Sequence, residues 1–110
     1  MNIQHSERLK LRVEALASRL REVSAEISAT YGAVAQARER LHAVVAETLM
    51  EGAAPPAEID ALRREIARHE AALPALEEQE ANLKRYHFEA RRDHLIQLRR
   101  ERPNRWIVLE

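Results

Sequence analysis

Apolar residues in the first half of the chain recur at alternating steps of three and four. Val13, Leu20, Ile27, Val34 and Leu41 fall every seven residues. Leu9, Leu16, Val23, Thr30, Ala37 and Val44 form a second series beside them. Together the two series make one stripe on an α-helix, the a/d seam of a coiled coil. Thr30 and Ala37 are its weak positions. The pattern predicts a helix from about Ser6 to Glu51, with the Ser6 hydroxyl accepting an unpaired backbone N–H as an N-cap.

Gly52 follows, where a helix commonly ends on a left-handed residue. Pro55 and Pro56 cannot continue the first helix, but Pro56 suits the start of another. Glu58 and Asp60 put negative charge at the positive end of that second helix. It reads from about Ala57 to Arg102 and stops before Pro103. Its seam is Ile59, Leu62, Ile66, Leu73, Leu76 and Leu83, interrupted by His69 and Glu80. Beyond Leu83 the same register would bring in His87, Ala90, His94 and Gln97, which are mostly polar. Phe88, Leu95 and Leu98 form a displaced apolar series, so the seam is expected to move to another face there.

Two helices of equal length around a short turn predict an all-α, antiparallel, coiled-coil-like hairpin, a single domain over residues 1–110. Outward from the turn, residues on opposite helices should pair where their numbers sum to about 109. That sets Gly32 opposite Pro74 to Glu77. Pro74 cannot donate to the Glu70 carbonyl, so a bend near Gly32 and Pro74 is expected. The alternative is a break at Pro74 and three helices. One seam per helix is little core for this length. Tyr31, Val45, Leu49, Phe88 and Leu95 lie off it, which points to a homodimer forming a four-helix bundle.

Composition agrees with long helices. The chain holds 19 Ala, 16 Arg and 16 Glu against 2 Gly and 4 aromatic residues. A sheet fold and a disulfide scaffold are excluded, the latter because Cys is absent. Lys and Arg balance Asp and Glu at 18 each, which weakens the simplest case for a polyanion-binding protein. No apolar run approaches the roughly 20 residues needed to span a membrane. The N-terminus shows no secretory pattern, so no membrane role and a cytoplasmic location are expected.

Catalytic constellations are poor: there is no Cys nucleophile, no Gly-rich phosphate loop and no strand to raise a nucleophile. An enzyme, a cofactor and a metal are therefore not expected. Glu39 and His42 match a Glu-x-x-His spacing, but that site needs further inward-facing carboxylates. Glu80, His87 and His94 sit one heptad apart, roughly 10.5 Å along a helix axis, too far to share one ion. They read as a polar stretch of seam.

Charge is zoned along the second helix. Residues 57–82 carry three basic and seven acidic groups, while residues 83–110 carry eight basic and four acidic. Lys84, Arg85, Arg91, Arg92, Arg99 and Arg100 form a basic stripe up to Arg105, with aromatics interleaved. Such a stripe can grip phosphates. Residues 103–110 form an apolar tail containing Trp106, Ile107 and Leu109. A tail of this kind can dock on a partner, with Phe88 and Leu95 as further contacts, or fold back onto its own hairpin.

In outline the architecture resembles the helical-hairpin stalk proteins of secretion systems and small phage accessory proteins, with no motif that carries residues over. The expected function is a non-enzymatic protein–protein interaction protein: an adaptor, assembly factor or inhibitor. The alternative is a nucleic-acid-associated protein using Lys84 to Arg105.

Overall fold

Two α-helices account for nearly all of the described residues, 5–52 and 56–102, of this computed structural model. Helix α1 runs His5–Glu51 and helix α2 runs Ala57–Glu101. They pack against each other as an antiparallel hairpin, shown by contacts between Ser6 and Glu101 near one end and Arg40 and Glu58 near the other. The apolar tail lies outside the described residues. The packing resolves into two compact units. One spans Ser24–Glu78 around the turn, and the other joins residues up to Val23 with those from Gln79 onward.

The turn-side unit is built on the apolar stripe. Ala37, Val44, Ile59 and Leu62 form a buried cluster, with Leu41, Val45 and Ile66 packed against it. Val34 and Leu73 are buried further from the turn. Two threonines occupy seam positions without leaving a hydroxyl unpaired. Thr30 and Thr48 each donate to the carbonyl four residues back, Glu26 and Val44, at 2.8 Å. Across the hairpin, Tyr31 donates to Glu77 at 2.6 Å and Arg38 pairs with Glu70. Both contacts sit within a residue or so of the register read from the sequence.

Gly52 ends α1 with φ at 65°, the left-handed conformation that a side chain resists. The Ile59 N–H then donates to the Pro56 carbonyl at 3.0 Å and opens α2. Helix α2 runs unbroken through Pro74, which excludes the three-helix alternative. Pro74 and Glu70 are both exposed, so water can serve the carbonyl that the proline leaves unpaired. A close approach at Gly32 is not found, since a Cβ there would meet nothing within 4 Å.

In the terminus-side unit, Val23 is fully buried and Ala90 is 4% exposed. Leu9, Val13, Leu16 and Leu20 of α1 are half-buried, as are Leu83, His87, His94 and Gln97 of α2. The first register therefore persists, and of the displaced series Phe88 stays outside at 67% exposed, while Leu95 and Leu98 are half-buried like His94 and Gln97. The physical reason is continuity. Turning α2 by about 100° to bring Phe88 inward would require slipping the helix by a whole residue against an unbroken stripe on α1. Ala90 and the imidazole rings fill the seam instead.

Ser6 also differs from expectation. The helix begins one residue earlier, so Ser6 lies inside the first turn and its hydroxyl donates rather than caps. Its buried side chain donates to Glu101, whose other oxygen accepts the Ser6 backbone N–H at 3.3 Å. A carboxylate from the end of α2 thus caps the start of α1, where the helix dipole favours negative charge. Gln97 donates to the same Glu101 carboxylate at 3.2 Å.

Gly32→Ala should raise stability by up to about 1 kcal/mol, because the site is helical and open. Gly52→Ala should lower it by about 1 kcal/mol, because its backbone is left-handed. Urea denaturation distinguishes the two, and equal shifts would contradict the assignment. The Ser6 hydroxyl holds the Glu101 carboxyl below the usual carboxylate range. A lowered folded pKa stabilises above the ordinary value, and the effect is lost as pH falls through the lowered one. Ser6→Ala should therefore be less stable than wild type at neutral pH, with the gap narrowing in strong acid. A gap of constant width would count against the Ser6–Glu101 contact.

Candidate interaction face on the second helix

With a and d in the seam, the remaining rows of α2 sort by heptad letter. Phe88 and Leu95 occupy b, Lys84 and Arg91 occupy e, and Arg85, Arg92 and Arg99 occupy f. Rows e, b and f are neighbours on the helical wheel, so these residues share one face. Arg100 falls at g, on the other flank. From Lys84 to Arg102, no acidic residue occupies rows b, e or f. Glu89, Asp93 and Glu101 take c, g and a. The result is an apolar strip of Phe88 and Leu95 between rows of cations.

The six basic residues named from the sequence are all exposed. Lys84 reaches Glu80 at 3.5 Å on its own helix, and Arg92 reaches Asp93 at 3.6 Å. The Arg85 guanidinium lies 5.1 Å from the centre of the Tyr86 ring, within cation–π range. Exposed pairs of this kind are worth little. By contrast, the described ion pairs that cross the hairpin, Arg38–Glu70 and Arg40–Glu58, belong to the turn-side unit. The Glu58 carboxylate raises the pKa of the Arg40 guanidinium by accepting its hydrogen bond. Glu77 likewise raises that of the Tyr31 hydroxyl.

Trp106, Ile107 and Leu109 lie outside the described residues, so the structure does not relate them to Phe88 and Leu95. Glu80, His87 and His94 are half-buried along the seam, while Glu39 and His42 are exposed. Among the described residues, no group of three or more His, Asp or Glu side chains could hold a metal. No helix among them is long and apolar enough to cross a membrane.

Leu49, which the sequence places off the seam, is 78% exposed, and Met50 beside it, which the sequence reading does not name, is 88% exposed in the last turn of α1. They occupy rows b and c, so the heptad pattern alone could have marked both as outward-facing. Comparison with protein-family models, curated proteins and solved structures finds no match to this chain.

Proposed function

We propose that this chain is a small non-enzymatic interaction protein of the cytoplasm, an adaptor, assembly factor or inhibitor. On this reading it binds other protein through the e/b/f face of α2 and through the tail residues Trp106, Ile107 and Leu109. The observation that carries the reading is the exposure of Phe88. A large aromatic outside the seam, continued by Leu95 and edged by cations, is the composition of an interface centre with a charged rim. The absence of a membrane-spanning helix among the described residues is compatible with the cytoplasmic assignment.

The cation rows support a second reading, contact with nucleic acid. The protein reading is favoured because apolar side chains hold the centre of the face, where a phosphate-tracking surface would place cations. The overall charge balance points the same way.

Replacing Phe88 with a photo-crosslinking phenylalanine analogue in the source cells separates the two. The expected product is a covalent adduct to protein, whether another chain or a second copy. Adducts to nucleic acid alone would contradict the reading. Trp106→Ala should reduce the yield of the protein adduct while leaving helicity unchanged, because tryptophan anchors commonly carry a large share of interface energy.

A further inference from the structure

We infer that the Lys84-to-Arg102 face of α2 binds the turn end of a second copy of this chain, where Leu49 and Met50 stand exposed. The inference rests on the reading of that face as protein-binding, and it deepens that reading by naming the occupant. Each of the two patches lies wholly within one compact unit. The argument is their fit in apolar content and in charge.

Charge divides between the two units. Residues 1–23 and 79–110 carry thirteen basic and eight acidic groups, while residues 24–78 carry five basic and ten acidic. The chain is neutral only because the two excesses cancel. The division sharpens at the patches. From Lys84 to Arg102, rows b, e and f hold Phe88, Leu95 and Leu98 among six cations and no carboxylate. The turn end reverses that sign. Between Arg40 and Arg63 there is no Lys or Arg, and Glu47, Glu51, Glu58 and Asp60 all fall there. Leu49 and Met50 sit in this acidic stretch, the most exposed large apolar side chains among the described residues.

The end of α1 is electrostatically incomplete by itself. A helix C-terminus favours cations, yet the last turn of α1 carries no basic residue. Glu47 lies one turn back from Met50 and Glu51 follows it, so carboxylates add to the negative end of the dipole. Within the hairpin, Arg40 pairs with Glu58. The basic rows of another copy's α2 supply the missing positive charge, and Phe88 with Leu95 covers Leu49 and Met50. Sign also selects how copies meet. Face on face sets cations against cations, and turn end on turn end sets carboxylates against carboxylates. Only the turn end on the face brings opposite charges together. The contact is therefore heterologous, joining two different patches of one chain type.

Two variants, each spoiling one patch, test this. Phe88→Glu spoils the face and Leu49→Lys spoils the turn end. Both side chains are exposed, and circular dichroism on each variant shows that the helices are intact. Light scattering on the full wild-type chain at micromolar concentration should give a mass above 12.7 kDa that falls as salt is raised. Each variant alone should associate on the order of tenfold more weakly. Mixing the two should restore a species of two chains, because the intact turn end of one meets the intact face of the other. A 12.7 kDa monomer across the concentration range would overturn the inference. So would a mixture that associates no better than either variant alone. A Leu49→Lys chain that associates as well as wild type would overturn it too, since that is the result for face-on-face pairing. A monomer that shifts a labelled DNA duplex would overturn it and reassign the face to nucleic acid. A monomer that still crosslinks to a different protein through position 88 would overturn the self-association alone and leave the protein-binding reading standing.

Discussion

Everything described in this chain follows from one seam that alternates steps of three and four along both helices. In the turn-side unit the seam is apolar and buries Ala37, Val44, Ile59 and Leu62. In the terminus-side unit it accepts His87, His94 and Gln97 and still keeps its register. Holding register has a consequence for the rest of α2. Phe88 cannot be inside if His87 and Ala90 are, because its row lies about 100° around the helix. An apolar strip is thus left outside by the same geometry that closes the hairpin.

The ends of the hairpin show why register matters more than local preference. A serine beside a helix start suggests a cap, yet Ser6 donates to a carboxylate from the far end of the chain. Glu101 sits at the negative end of its own helix, where its charge is unfavourable, and at the positive end of α1, where it is favourable. The antiparallel arrangement converts a poor local choice into a good tertiary one. Tyr31 with Glu77 and Arg38 with Glu70 do the same work along the flank of the turn-side unit.

Much of this was legible in the residues. Both helices and the left-handed Gly52 follow from periodicity and turn chemistry. Pro74 was harder to read, because a proline is tolerated where its ring and the orphaned carbonyl face water, and exposure is not written in a single chain. The moved seam was misread for a definite reason. Hydrophobicity favours Phe88 over His87, but Phe88 lies about 100° around the helix, and turning it inward would carry the buried Ala90 out of the seam. The candidate face was half legible: its residues were named as two sets, apolar and basic, and only the fixed register shows that Phe88, Leu95 and most of the cations share one side. The tail containing Trp106 is outside the described residues, so its part in the reading rests on composition alone.

The claim that the first register persists to the end of α2 has a direct test in the melting temperature of His94→Leu. If His94 occupies the seam at the level of Val13, an apolar side chain there adds buried area. The melting temperature should rise by a few degrees, which corresponds to about 1 kcal/mol or less. An unchanged or lowered melting temperature would place His94 outside the seam and contradict the account.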